Sequence, residues 1–323
     1  MRWMILPAVK ENIARAVDYL KRGKLVVLPT ETVYGLGADA TNGAAVAEIF
    51  AVKGRPQFNP LIAHVCDAAM AARYAVIDPL SQKLMDHFWP GPLTLVLPLK
   101  KKSGIHPFVT AGLPTLAIRS PRGIFSDIIA VLDAPVSAPS ANRSGRISPT
   151  TAAVVADDLG ACVPLILDGG ACPVGVESTI VKVVEGEVFL LRPGGLVRAE
   201  IEKLAGRPVK RLAPYMAVEA PGMQESHYAP DAAVRLDAME VHEGEALLAF
   251  GSQRAKGFEK AIAVLNLSPA GDMKEAATRL FDYLRKLDET DACRIAVEPV
   301  PTDGLGEAIN DRLVRAAAPR IKR

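Results

Sequence analysis

A chain of 323 residues and 34.4 kDa is long enough for two domains with real cores. Half of its residues are hydrophobic and 23% are charged, which excludes collagenous, coiled-coil, disordered and membrane-spanning classes. Lys and Arg number 38 against 36 Asp and Glu, a net charge of +2 that points away from an extended nucleic-acid or anionic-membrane surface, so any polyanion bound is expected to be small.

The N-terminal apolar stretch 3–6 is cut by Pro7, is too short for a signal-peptide core and has no small-residue cleavage site after it. Cys66, Cys162, Cys172 and Cys293 form no C-x-x-C pair, which fits free thiols in a reducing compartment and supports neither a disulfide framework nor zinc. A cytoplasmic protein is expected.

Ile13, Ala16, Val17 and Leu20 make an i, i+3, i+4, i+7 stripe, predicting a surface helix over 10–22 that Gly23 stops. A strand over 24–28 follows, and further strands are predicted at 61–65, 93–97, 115–119, 164–167, 178–184 and 188–192. Alternation of such runs with helical patterns marks an α/β sheet. Ser148-Pro149 predicts a helix start, with Ser148 as the cap and Pro149 in the first turn. After a helix at 197–205, the stretch 207–230 carries four prolines and little periodicity and reads as a linker. Beyond it, strands at 246–250, 261–265 and 294–300 and helices at 272–287 and 306–317 predict a smaller Rossmann-like α/β unit. Residues 231–323 hold 14 basic and 16 acidic side chains against 24 and 20 before them, so the positive excess lies with the first unit and linker.

Three segments have the residue types for chemistry. The loop Pro29-Thr30-Glu31-Thr32-Val33-Tyr34-Gly35-Leu36-Gly37 lies at the carboxyl end of a strand, where open α/β sheets bind ligands; it reads equally as a tight turn with satisfied hydroxyls. Lys53-Gly54-Arg55 places two cations at a helix C-terminus, suited either to one shared anion or to capping that helix. Pro56 and Pro60 stiffen the turn that carries Asn59 and leads to His64. The run 137–150, with Ser140, Asn142, Arg143, Ser144 and Ser148, suits anion capture by backbone N–H groups as well as a polar loop with an N-cap. Phosphate-loop, zinc-protease, nucleophile-elbow and dinucleotide fingerprints are all absent.

In this order, P-T-E-T-V-Y-G-L-G, K-G-R-P-x-x-N-P-L-x-x-H-V, S-A-P-S-A-N-R-S-G-x-x-S-P-T, G-x-x-S-T-I and L-R-P-G resemble the YrdC-like domain. The linker with Pro221-Gly222-Met223 and His227-Tyr228-Ala229-Pro230, followed by a second α/β unit, is similar to the long form of the threonylcarbamoyl-adenylate synthases. The resemblance implies a YrdC-like open twisted mixed sheet with flanking helices (1–206), a linker or lid (207–230) and a smaller Rossmann-like α/β domain (231–323).

It implies an L-threonylcarbamoyladenylate synthase, a nucleotidyltransferase joining L-threonine, bicarbonate and ATP and releasing pyrophosphate, its product serving threonylcarbamoyl-adenosine modification of tRNA. Lys53, Arg55, Ser140 and Asn142 are then the expected catalytic set. Those four with Asn59, Thr115, Ser148, Arg192 and Tyr228 are expected to bind ATP, and Thr32, His64, Arg119, Ala138 and Ser178 to bind L-threonine, Arg119 by its carboxylate. Tyr228 is expected in a lid over the site, although Gln224-Glu225-Ser226 stand where the family usually has basic residues.

Mg²⁺ is expected on the ATP phosphates with no protein ligand. The expected partners are the substrates and downstream tRNA threonylcarbamoyl transferase proteins, with no membrane and no tight nucleic-acid binding. An RNA-binding or ribosome-maturation module of the same fold is the alternative; the low aromatic content, 5%, argues against it.

Overall fold

The computed structural model describes residues 3–211, 219–222 and 227–319. Strand β1 (Met4–Pro7), helix α1 (Ile13–Lys21), strands β2 (Val26–Leu28) and β3 (Gly35–Asp39) and helix α2 (Gly43–Lys53) open the chain. Strand β4 (Ile62–His64), helices α3 (Ala68–Tyr74) and α4 (Pro79–Phe88), strand β5 (Leu93–Pro98), helix α5 (Pro107–Thr110) and strand β6 (Thr115–Arg119) follow. Next come α6 (Ile124–Leu132), β7 (Val136–Ser137), α7 (Ala152–Leu159), β8 (Leu165–Asp168), β9 (Thr179–Val184), β10 (Glu187–Arg192), α8 (Arg198–Ala205) and β11 (Val209–Arg211). A second unit holds β12 (Ala233–Arg235), β13 (Glu245–Ala249), β14 (Val264–Asn266), α9 (Met273–Asp288), β15 (Arg294–Val297) and α10 (Gly306–Ala317).

The first eleven strands form one mixed sheet in the order β1-β8-β2-β3-β7-β4-β6-β5-β9-β10-β11. The last four form a smaller parallel sheet, β12-β15-β13-β14. This is the mixed α/β architecture with a second, Rossmann-like unit that the alternating pattern predicts. Helix α1 buries Ala16, Val17 and Leu20 of the predicted stripe against the main core, and residues 10–12 form a 3-10 turn ahead of it.

Three expectations are corrected. β3 forms within the predicted ligand loop, pairing antiparallel with β2 and β7. The helix expected from Ser148-Pro149 begins at Ala152, because Thr151 supplies the cap, its hydroxyl accepting from Val154 N. β11 pairs with β10, so the main sheet reaches into the stretch expected as linker. Of that linker, residues 212–218 and 223–226, including Met223 and Gln224-Glu225-Ser226, lie outside the described residues.

Side chains alternate across a strand, so Thr115, Ala117 and Arg119 of β6 share one face, as do Ile62 and His64 of β4. Ile62 pairs with Ala117 and His64 with Arg119. On this face Ile62, Val96, Ala117, Ile180 and Leu191 form a small apolar cluster covered by Ala220. A larger cluster packs the second unit's Tyr228-facing helices together with Val33 and Val176 of the first. Among the described residues no helix is long and apolar enough to cross a membrane, and all four cysteines are free thiols.

Candidate active site

Helix α2 ends at Gly54, whose φ of 60° is the left-handed cap that turns the chain sharply. That turn sends Lys53 and Arg55 inward, 3% and 7% exposed. Lys53 Nζ donates to Ser140 O at 2.6 Å and to Asn142 O, so this cation clamps the 140–142 loop. The same loop is tied on its other side, with Leu36 N donating to Pro139 O at 2.8 Å and Ala141 N to Tyr34 O at 2.8 Å. Arg55 donates to the carbonyls of Asn59 (3.3 Å) and Pro60 (2.9 Å). Burial, with Arg55 nearby, holds the Lys53 ammonium well below its ordinary pKa; burial, against the influence of Tyr228, brings Arg55 down to about 10.

A pocket opens beside this loop. It is lined by Thr32, Val33, Arg55, Ile62, His64, Arg119, Ala138, Pro139, Ser140, Glu177, Ser178, Arg192, Pro221, Gly222, His227 and Tyr228. Nine of the residues expected from sequence are thereby brought together: Thr32, Arg55, His64, Arg119, Ala138, Ser140, Ser178, Arg192 and Tyr228. Lys53, Asn59, Asn142 and Ser148 are not among the lining residues, though Lys53, Asn59 and Ser148 are hydrogen-bonded to residues that are.

The side-chain amide of Asn142 donates to the carbonyls of Arg143 and Arg146, while Asn142 Oδ1 and Asn59 Oδ1 are buried with no protein partner. Ser148 caps no helix; its hydroxyl donates to Glu177 Oε1 at 2.6 Å. Thr115 shares the face of Arg119 but stands at the other end of β6, four residues or about 13 Å away at ~3.3 Å per residue.

Arg119 spends one donor from each nitrogen on the protein: Nε on Gly91 O (3.1 Å), Nη1 on Thr32 Oγ1 (3.0 Å) and Nη2 on Glu31 Oε1 (2.7 Å). A guanidinium has five N–H groups, so one on each Nη is left for a ligand. Glu31 is itself buried, and its other oxygen accepts from Arg122 N at 3.1 Å. Next to Arg119, His64 donates from Nδ1 to Val136 O at 3.3 Å and packs against Phe125; burial, then the charge of Arg119, push its pKa down to about 3, so the ring is neutral.

On the opposite wall Arg192 donates to Ser178 O, Ser178 Oγ and Pro221 O, and Ser178 Oγ shares a hydrogen bond with Thr94 Oγ1 at 2.8 Å. The segment Pro221-Gly222 with His227-Tyr228 roofs the pocket. Gly222 has φ of 81°, and a Cβ there would stand 2.9 Å from both Arg192 Cδ and the Tyr228 hydroxyl oxygen.

Several lining or supporting groups carried no role in the sequence reading. Glu177, the one carboxylate among the described lining residues, accepts from Ser148 and from Arg312 Nε (2.8 Å). Burial works to raise its pKa, but Arg312, Arg192 and the Ser148 hydroxyl hold it at about 2. His227, whose Nδ1 is buried without a partner, is kept neutral by burial, with its pKa at about 3. Arg312 had a signal: it falls on the Ile309, Leu313, Ala316 stripe of α10, where a cation is out of place.

The family described as Telomere recombination matches residues 18–194, and that described as Threonylcarbamoyl-AMP synthase, C-terminal domain, matches 196–318. The chain is 41% identical to the threonylcarbamoyl-AMP synthase of Pyrococcus abyssi, with 96% of this chain and 95% of that one aligned. It is 37% identical to that of Bacillus subtilis, over 100% and 99%. The crystal structure of P. abyssi Sua5 complexed with L-threonine superposes with a TM-score of 0.88 at 37% identity, covering 97% of each chain. The chain belongs to the two-domain threonylcarbamoyl-AMP synthase family and is an enzyme of the nucleotidyltransferase kind.

Proposed function

We propose that this pocket joins L-threonine, bicarbonate and ATP into threonylcarbamoyl-AMP and pyrophosphate. The observation that carries this reading is the convergence of Arg55, Arg119 and Arg192 on one pocket, the first two flanked by Ser140 and Thr32 and the last by Ser178. The P. abyssi relative's complex with L-threonine supports threonine as the amino-acid substrate.

No covalent nucleophile is required. The threonine amine adds to carbon dioxide delivered by bicarbonate and loses a proton, giving a carbamate. A carbamate oxygen then bonds to the α-phosphorus of ATP as the bond to pyrophosphate breaks. Positioning and charge neutralisation supply the rate. In our reading Thr32, His64, Ala138 and Ser178 surround threonine, and the two N–H groups left on Arg119 take its carboxylate. A neutral His64 serves as a hydrogen-bonding wall and not as a cation.

Arg55, Ser140 and Arg192 face the phosphates, Tyr228 covers them, and Lys53, Asn142, Asn59 and Ser148 set the loops behind. Thr115, on the same sheet face, lies toward the nucleoside. Mg²⁺ would be held by phosphate oxygens: both oxygens of Glu177 are engaged, and no group of three or more His, Cys, Asp or Glu gathers among the described residues. The ion would supply further neutralisation of the triphosphate.

We further propose a division into 1–206, 207–230 and 231–323 for this work, a cytoplasmic setting, and hand-over of the product to proteins that place the threonylcarbamoyl group on tRNA, without tight nucleic-acid binding or membrane contact by this chain. The test is pyrophosphate release from ATP and Mg²⁺ by the full chain, with L-threonine and bicarbonate omitted in turn. Release that requires both is expected; release indifferent to both would sink the reading and turn attention to RNA.

A further inference from the structure

Resting on that reading, we infer that the second α/β unit supplies Arg312 as a positioning residue of the pocket, setting the wall carboxylate Glu177 and the roof aromatic Tyr228 together. Arg312 stands on α10 and is fully buried. Its Nε donates to Glu177 Oε2 (2.8 Å), Nη1 to Asp311 Oδ2 (2.6 Å) and Nη2 to Pro193 O (3.0 Å). Its guanidinium carbon lies 5.1 Å from the centre of the Tyr228 ring, within cation–π range. Tyr228 is held at φ of 60° and stacks on Phe281 of α9 at 5.6 Å. One residue earlier, His227 N donates to Arg315 O, so α10 also holds the roof by its backbone. The other oxygen of Glu177 takes the Ser148 hydroxyl, which carries the linkage into the 137–150 loop.

Packing alone does not account for this arginine. It occupies the apolar stripe of α10 between Ile309 and Leu313, where an aliphatic residue would avoid desolvating a cation. Each of its three nitrogens is matched to an acceptor, and two of the groups it touches line the pocket. The first unit's site is thereby completed from the second.

The experiment uses the full chain with Arg312→Met, Arg312→Lys, Glu177→Gln and the double variant Arg312→Met/Glu177→Gln. Threonine- and bicarbonate-dependent pyrophosphate release is expected to show KM for ATP raised roughly ten- to hundredfold in Arg312→Met, with kcat changed far less, since a displacement of about 1 Å can cost that much. Arg312→Lys should fall between. The double variant should be no worse than the poorer single, because the two residues act as one unit.

A folded Arg312→Met or Arg312→Lys with lowered denaturation midpoint but wild-type KM values overturns the inference, as does additivity in the double variant. If Arg312→Met fails to fold, Arg312→Lys and Glu177→Gln carry the same comparison. Amide exchange is read in parallel: protection over 174–179 and 227–230 should drop in the Arg312 variants, and unchanged protection overturns the inference. Absence of substrate-dependent release in the wild type would strike the proposed function instead and leave the exchange result to decide this one.

Discussion

Replacing Lys53 by Met separates two roles for a residue expected on the triphosphate. Its ammonium donates to the carbonyls of Ser140 and Asn142, and its side chain is 3% exposed. Methionine keeps the stem's packing and removes both donors. Each charge-assisted bond contributes about 1.5–3 kcal/mol, and the two carbonyls would be left in a dry environment. Against this, a buried cation crowded by Arg55 is removed, as its lowered pKa reflects, so the net loss of stability should be about 3 kcal/mol.

The loop it holds, 138–142, has Ala138 on the proposed threonine side and Ser140 on the phosphate side. Loosening it should therefore raise KM for both ATP and threonine, each roughly tenfold, or about 1.4 kcal/mol. Urea denaturation followed by initial rates of pyrophosphate release at varied ATP and threonine measures both quantities. A Lys53→Met protein as stable as the wild type, with only the ATP KM raised, would refute the clamp and restore Lys53 to direct phosphate contact.

Glu31→Gln, which weakens the anchor of Arg119 and of the 120–122 turn, should raise KM for threonine more than for ATP; equal KM values for wild type and variant would show that Arg119 holds its pose without it. Gly222→Ala forces a side chain at φ of 81° against Arg192 and Tyr228 and should weaken nucleotide binding by roughly tenfold, about 1.4 kcal/mol, with little change in global stability, as followed by calorimetric titration.

Acid should destabilise the fold in two overlapping windows. His64 and His227 sit at about 3 instead of 6.5, so the unfolded chain takes up protons first and stability falls as pH drops from 6.5 toward 3, by about 1.4 kcal/mol per pH unit for each. Glu177, held at about 2 instead of 4.5, contributes stability that is present above 4.5 and lost between 4.5 and 2. Denaturation midpoints between pH 7 and 5 should show a shallower slope in His64→Asn; an unchanged slope would mean that this ring is charged in the folded protein.

Much of the fold was legible because its strands are short apolar runs bounded by punctuating residues, as at 93–97 or 188–192. β3 was not: Gly35-Leu36-Gly37-Ala38-Asp39 has no β-branched residue, and its strand is imposed by β2 and β7, between which a side chain at Gly37 would press on Leu28 and Val136. Ser148-Pro149 had the local chemistry of a helix start, yet a distant carboxylate, Glu177, claimed the hydroxyl, and Thr151 took over the cap. Of the pocket's cations, Arg55 was legible from the Lys53-Gly54-Arg55 spacing, while Arg119 and Arg192 followed only from the family resemblance. What held them was not legible, because Glu31–Arg119 and Glu177–Arg312 join residues 88 and 135 positions apart. Arg312 alone broke a periodic pattern visibly enough to be questioned from sequence.

Among the described residues, Arg55 and Arg192 donate hydrogen bonds to neutral oxygens alone: Asn59 O and Pro60 O for one, Ser178 O, Ser178 Oγ and Pro221 O for the other. Carbonyl dipoles fix such groups in space without cancelling them, and Glu177, whose charge acts on Arg192, has its own oxygens taken by Ser148 and Arg312, so an incoming anion displaces no carboxylate hydrogen-bonded to either cation. Replacing Arg192 by Met should leave the acceptors at Ser178 and Pro221 unpaired and yield a protein that captures nucleotide poorly, and the wild type should be stabilised more by modest concentrations of inorganic polyphosphate than by an equal ionic strength of chloride.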